Sequence, residues 1–237
     1  MQKVSDSSQG TVDIVVARRA IWTIRSSIIA LCVRRYFRYA LSLRNLEEIM
    51  AERNVSVDHV TIWRWIQRYA PELSQRCRPR LRMTNGSWRV DETYLRIAGK
   101  WTYLYRAVDS TGDTIDFLLS RKRDADAAKR FFQNVLRSPN HPRPRVINVD
   151  KNPCYPKVVE ELKRTRELGR RCRCRPVRYL NNVVEQDHRA IKRRVRASQG
   201  FRSFHSAWKT IQGIETINMI RKGGPLVSSL LVILAKP

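Results

Sequence analysis

Three carboxylates, Asp91, Asp150 and Glu185, stand in a 237-residue chain that carries 47 Lys+Arg against 21 Asp+Glu. Acids at the structural pivots of so basic a protein need a physical reason, and a divalent metal supplies one. Three carboxylates can hold two Mg²⁺ ions against a phosphodiester while the surrounding cations hold the rest of a nucleic acid. Each acid also has a plainer explanation. Asp91 lies within Trp88-Arg89-Val90-Asp91-Glu92-Thr93-Tyr94, where strand alternation puts it on the face of Leu95 and Ile97. A bare carboxylate on a covered face is costly, and either a metal or a cross-strand arginine would neutralise it. Asp150 closes the apolar run Val146-Ile147-Asn148-Val149, a position where α/β sheets place chemistry. The same Asp, with Asn152 and Pro153 close behind, also has the composition of a strand-ending turn. Glu185 follows Asn182 at capping-box spacing, but it also shares a helical stripe with His188, Arg189 and Lys192. In that second reading Glu185 ligates metal while His188, Arg189 and Lys192 reach phosphate.

The elements that must position these residues follow from periodicity. Apolar residues recur at helical spacing from Ile24 to Tyr39, and Ser42 caps a second helix bearing Leu43, Leu46 and Met50. After the break at Asn54-Val55-Ser56, a third helix is expected from Asp58 to Tyr69, stopped by Ala70-Pro71. Its Ile62, Ile66 and Tyr69 form a buried stripe, while Thr61, Arg64 and Arg68 lie on another face. With Arg44 alongside, that is the pattern of a helix-turn-helix whose second helix enters the major groove, as against a plain three-helix bundle. The period then changes. Trp88–Ile97, Trp101–Val108 and Thr114–Leu119 read as three meandering antiparallel strands, and Asp124–Leu136 as a helix. A short strand ends at Asp150, helices follow over Pro153–Leu168, Asn182–Val195 and Ser203–Ile220, and Arg170–Arg178 is a biased Arg/Cys-rich crossing. This is the element order of an α/β, ribonuclease-H-like fold. Two strand-borne Asp and one helix-borne Glu, in that order, match an arrangement used for two-metal phosphoryl transfer.

Composition narrows the partners. A formal net charge of +26 and a pI near 11.0 point to nucleic acid ahead of an anionic membrane surface. Ribosomal and histone-like proteins are equally basic, so charge alone does not imply an enzyme. Hydrophobic residues make up 42% and there are six Trp, which excludes a disordered basic tail. Five Cys without a disulfide framework fit a reducing cytosol, and Cys172-Arg-Cys174 has no second Cys/His pair at zinc-finger spacing. The opening residues lack the order of a signal peptide, and the apolar run Leu226–Ala235 is too short to span a bilayer.

The chain resembles the Asp-Asp-Glu (DDE) transposases of bacterial insertion sequences, specifically the insertion-sequence-six family. The resemblance rests on Leu43-Arg44-Asn45-Leu46-Glu47-Glu48, His59-Val60-Thr61-Ile62-Trp63-Arg64-Trp65, Trp88-x-x-Asp91-Glu92-Thr93-Tyr94 and Tyr103-Leu104-Tyr105-Arg106-Ala107-Val108-Asp109. It continues through Asp116-Phe117-x-Leu119-Ser120, Asp150-Lys151, Tyr179-x-Asn181-Asn182-x-x-Glu185-Gln186-Asp187-His188, Gly200-Phe201 and Ile220-Arg221-Lys222-Gly223, with 34 residues between Asp150 and Glu185. It covers residues 25–223 and departs at both ends.

The resemblance implies that Asp91, Asp150 and Glu185 are metal ligands and catalytic residues for two Mg²⁺ ions, with Mn²⁺ able to substitute. Asp91 would bridge both ions, and Asp150 and Glu185 would each complete one. It implies Lys192 as a basic residue at the transposon end, with His188 and Arg189 beside it. A retroviral-integrase-like catalytic domain over residues 88–222 would follow a flexible segment (1–23), a helix-turn-helix domain (24–70) and a basic linker (71–87), with a tail at 223–237. Thr61, Arg64, Arg68 and Arg44 would then contact DNA. The expected activity is metal-dependent cleavage and strand transfer of double-stranded DNA, at terminal inverted repeats and a target, in a cointegrate-forming reaction. A homodimer or higher oligomer on DNA and no membrane partner are expected, in the bacterial cytoplasm at the nucleoid. The alternatives weighed against it are an inactive copy that represses its own element ends, a nuclease for RNA–DNA hybrids and a structural RNA-binding protein.

Overall fold

The computed structural model describes residues 26–80, 83–138, 141–150, 152–177, 182–197 and 200–223. The expected flexible segment 1–23, the tail from residue 224 and the motif residues Tyr179 and Asn181 therefore lie outside the described residues. Helix α1 covers residues 26–38, α2 Leu43–Ala51 and α3 His59–Cys77. Strands β1 (Ser87–Ile97), β2 (Lys100–Asp109) and β3 (Thr114–Ser120) are followed by α4 (Ala125–Arg137), β4 (Val146–Val149), α5 (Cys154–Arg164) and β5 (Arg173–Pro176). Helices α6 (Asn182–Ala197) and α7 (Phe204–Gly223) close the chain's described part. The ribonuclease-H-like element order expected from the periodicity holds, preceded by a helical region.

Local chemistry sets the helix starts. The Ser42 hydroxyl accepts the Asn45 N–H at 3.1 Å while Asn45 Oδ1 accepts the Ser42 N–H at 2.9 Å, a reciprocal cap. Asn54 ends the next turn in the left-handed region, at φ 54°. The Asp58 carboxylate then accepts the Thr61 N–H at 2.9 Å and starts α3. Contrary to expectation, α3 does not stop at Ala70-Pro71 but runs to Cys77, so the first residues of the expected linker are helical. A proline inside a helix costs about 3 kcal/mol. Here Ala70 just before it and Leu73 and Cys77 beyond it are buried, in one cluster with Ile211 and Ile214 of α7. The Gln67 amide also donates to Thr210 Oγ1 at 3.0 Å. On α7, a Cβ at Gly213 would meet the buried Phe37 ring of α1, so only glycine permits this approach.

The sheet order is β3-β2-β1-β4-β5, with β1 to β3 antiparallel and β4 and β5 parallel to β1. One face carries Leu95, Ile97, Leu104, Phe117 and Leu119 into a core shared with α6, α7 and the three N-terminal helices. The opposite face carries Trp88, Val90, Tyr105, Ala107 and Ile147 against α4 and α5. The fifth strand was not expected, because the Arg/Cys-rich crossing contains no apolar alternation of the usual kind. Cys172 is buried and Cys174 half-buried, while Arg173 and Arg175 are exposed, so thiols supply the inward positions. Pro176 sits on this edge strand, where a missing N–H is tolerated. Among the described residues no helix is long and apolar enough to cross a membrane.

Candidate active site

Strand register brings two of the three acids together. Val90 pairs with Val149 in the parallel β1–β4 ladder, so the next residues, Asp91 and Asp150, leave the pairing side by side at one end of the sheet. Past that point β1 runs on beyond β4, which leaves the edge beside Asp91 open to a helix. Helix α6 packs on β1 and β2, with Glu185 in its first turn. Asp150 and Glu185 both act electrostatically on the Asp91 carboxyl. The capping alternative for Glu185 concerns Asn182, whose side chain is outside those described.

The cross-strand arginine considered for Asp91 exists and is occupied elsewhere. Arg106 is the register partner of Asp91 on β2 and is fully buried, at 0% exposure. Its guanidinium pairs with Glu215 of α7 at 2.8 Å and with Asp187 of α6 at 3.2 Å. Lys222 joins the same cluster through Asp187, and also donates to the Gly112 carbonyl at 2.7 Å. Among the described residues, no Lys or Arg pairs with Asp91. Its Oδ1 accepts the Glu92 N–H at 2.9 Å, and its Oδ2 lies 3.7 Å from His188 Nδ1. Burial, with Arg106 and Lys192 nearby, holds His188 well below its ordinary value. The ring is therefore neutral and offers Asp91 no countercharge.

Glu92 shows what a satisfied acid looks like one residue away. It points to the opposite face, where Arg123 pairs with it at 2.6 Å, Asn152 donates at 3.0 Å and the Tyr155 hydroxyl makes a short hydrogen bond. Asp91 has no such set. Its side chain is 14% exposed, and burial, followed by repulsion from Glu92, Asp150 and Glu185, pushes its carboxyl up to about 7. Among the described residues no three His, Cys, Asp or Glu side chains close into a metal-holding cage. The donor chemistry nevertheless suits a hard divalent cation: all-oxygen ligands, excess negative charge and a carboxyl that a cation would ionise.

The remaining expected contacts divide by exposure. Arg44, Arg64, Arg68 and Arg189 are exposed, Thr61 is half-buried on α3, and Lys192 lies 4.3 Å from the centre of the Tyr94 ring. His188 differs from the expectation of a phosphate contact: it is 6% exposed and faces Asp91 rather than solvent. The Arg106–Asp187–Glu215–Lys222 cluster was not foreseen. Its signal was present, since Asp187 falls within the buried α6 stripe of Val184, Ile191 and Val195, and a charge on such a stripe demands a partner.

Comparison with known proteins gives consistent matches. Residues 85–224 match the family described as a DDE domain. The transposase for insertion sequence-like element IS431mec of Staphylococcus aureus (strain Mu50 / ATCC 700699) is 38% identical over 195 residues, 82% of this chain and 84% of that protein. The S. aureus transposase for insertion sequence element IS257 in transposon Tn4003 matches to the same extent. Among solved structures, the catalytic core domain of BIV integrase superposes with a TM-score of 0.41 at 20% identity, over 54% of this chain and 81% of that one. A chain of the simian T-cell lymphotropic virus intasome, in complex with PP2A regulatory subunit B56 gamma, gives 0.41 at 14% identity over 55% and 48%.

Proposed function

The chain belongs to the DDE transposases of insertion sequences, and from that premise we propose that its DNA strand cleavage and strand transfer run at Asp91, Asp150 and Glu185 with two Mg²⁺ ions, or Mn²⁺ in their place. The observation that carries this reading is the unneutralised state of Asp91. It is pushed up to about 7 beside three other carboxylates, while its register partner Arg106 serves a different cluster. When bound, the ions supply Lewis-acid activation of the attacking oxygen and of the scissile phosphodiester.

The protein's own residues hold and aim the DNA. Asp91 sits within β1 and Asp150 at the end of β4, and Glu185 moves only with α6, which the Arg106 cluster anchors to β2 and α7. Lys192 and Arg189, on the turns after Glu185, fix backbone phosphate. Residues 163–202 carry 14 Lys+Arg against 3 Asp+Glu, so the approach to the site is itself a phosphate track. His188, buried beside Asp91, keeps water and cations from one side of that carboxyl. The helix-turn-helix over residues 24–70 reads the terminal inverted repeats through Thr61, Arg64 and Arg68, with Arg44 on phosphate. Residues 88–222 form the catalytic unit. Two element ends must be held at once, so the working form is a dimer or larger on DNA, at the bacterial nucleoid, and the product is a cointegrate.

The test is a Mg²⁺-dependent nicking and joining assay on DNA carrying the element's inverted repeats. Asp150→Ala should bind the ends like the wild-type chain and neither nick nor join them. Strand transfer retained by that variant would overturn the assignment.

A further inference from the structure

Of the large hydrophobic side chains exposed on the described surface, two touch each other: Tyr94 at 56% exposure and Trp101 at 57%. Register explains how they meet. Tyr94 pairs with Tyr103 and Trp101 with Arg96, so Tyr94 and Trp101 are diagonal neighbours on one face of the β1–β2 hairpin. Their rings stand edge to face, with centroids 5.2 Å apart and planes at 89°. The hairpin that carries them is fixed at its tip. Ala98 and Gly99 turn with φ of 48° and 77°, and the Ala98 N–H donates to the Phe201 carbonyl at 2.8 Å.

A cation lies over each ring. Lys192 Nζ is 4.3 Å from the Tyr94 centroid, and the Arg96 guanidinium is 5.9 Å from that of Trp101. Arg96 is itself held by the Gly99 carbonyl at 3.1 Å. Packing a hairpin end accounts for the ring contact alone. It does not account for more than half of each aromatic surface facing water between two positive charges. Exposed aromatic faces interleaved with cations are the arrangement that takes unstacked nucleobases along a phosphate backbone.

Position ties this surface to the reacting centre. Tyr94 is three strand residues beyond Asp91, about 10 Å along an extended chain, and by alternation it leaves β1 on the opposite face, the one that carries Glu92; Lys192 of α6 reaches it past the edge that β4 leaves open. Lys192 is about two helical turns beyond Glu185, again about 10 Å. Resting on the DNA-processing role proposed above, we infer that Tyr94 and Trp101 form a stacking platform for unpaired bases of the strand being cut, where that strand passes the open edge of β1 beside Lys192. Lys192 and Arg96 neutralise the adjoining phosphates. The ligand is single-stranded DNA contiguous with a duplex, recognised by base faces and backbone charge rather than by sequence.

The full-length chain can be tested with labelled duplexes of arbitrary sequence, one blunt and one carrying a short 3′ single-stranded extension. The wild-type chain should bind the tailed duplex more tightly. Tyr94→Ala and Trp101→Ala should each weaken tailed binding by about tenfold and change blunt binding by less than about twofold, while Tyr94→Phe and Trp101→Phe retain it. In the unsubstituted chain, 5-iododeoxyuridine in the extension should crosslink to Tyr94 or Trp101 on irradiation, as mapped by mass spectrometry. Alanine variants with unchanged preference for the tail, or crosslinks mapping only elsewhere, would overturn the platform while leaving the DNA reading intact. A change in self-association on Trp101→Ala, without a change in tailed binding, would likewise overturn it in favour of a contact between copies. A wild-type chain that binds neither duplex removes both this inference and the function beneath it.

Discussion

Glu185 and Asp187 are two residues apart on α6 and meet opposite surroundings. Asp187 enters a buried cluster in which Arg106, Glu215 and Lys222 balance two acids with two bases. Glu185 joins Asp91 and Asp150, a set whose charges are all of one sign and whose one close ring, His188, is neutral. Both clusters draw on α6, in a chain with cations to spare. The difference is therefore not supply but placement. Arg106 is the register partner of Asp91 yet pairs away from it, so that among the described residues Asp91 has no Lys or Arg partner.

Removing one charged residue from each cluster should separate the two roles most widely. Asp150→Ala is expected to lower Mg²⁺-dependent cleavage by at least about 10³-fold. A cleavage rate within tenfold of wild type would place the reacting centre elsewhere.

Arg106→Met attacks the other cluster. It leaves Glu215 buried and unpaired, and Asp187 with Lys222 alone, which should cost about 3–5 kcal/mol in chemical denaturation. Activity should fall with the folded fraction. Adding Glu215→Leu should recover part of the loss, since both partners of a pair are then gone. A single variant of wild-type stability would mean that water already reaches this cluster.

The third comparison uses pH. The Asp91 carboxyl takes its proton at about 7 in the folded chain, against an ordinary 3.8. A raised value means that folding favours the protonated form. That contribution is complete below about pH 4 and is lost as pH rises through 7. Asp91→Asn cannot ionise and should keep it, so in EDTA the variant should be about 2–4 kcal/mol more stable than wild type above pH 7. The two should converge below pH 4. Adding Mg²⁺ at pH 8 should stabilise the wild-type chain and not the variant. A constant difference across this range would show that Asp91 is ionised throughout.

What the sequence made legible tracks how local the cause is. Ser42, Asp58 and Asn54 act within four residues, and the helices they cap or end were readable. Asp150 and Glu185 stand at a strand end and a helix start, which are themselves local signals, and Asp91 stands mid-strand, where alternation alone gives its face. Pro71 misled because the compensation comes from α7, more than a hundred residues away. Strand β5 was hidden because Cys172 and Cys174 stand where apolar residues usually alternate. Arg106 lies within the motif Tyr103–Asp109, yet its partners Asp187 and Glu215 are 81 and 109 residues distant, so nothing nearby announced its role.

The smallest expected effect concerns how the two kinds of acid communicate. Glu92 belongs to the satisfied group, held by Arg123, Asn152 and Tyr155 on the far face of the sheet. After burial, it is nonetheless the largest influence raising the Asp91 carboxyl. Glu92→Gln keeps the shape and an oxygen for Tyr155 while removing the charge. The Arg123 pair it loses is half-exposed on the arginine side, so stability should change by no more than about 1 kcal/mol. The Asp91 carboxyl should then titrate lower, and Mg²⁺ binding, followed by calorimetry, should persist to more acidic pH than in the wild-type chain. If the pH midpoint of Mg²⁺ binding does not move, Arg123 already cancels the charge of Glu92 as Asp91 feels it. Asp91 would then be tuned by burial and by Asp150 and Glu185 alone.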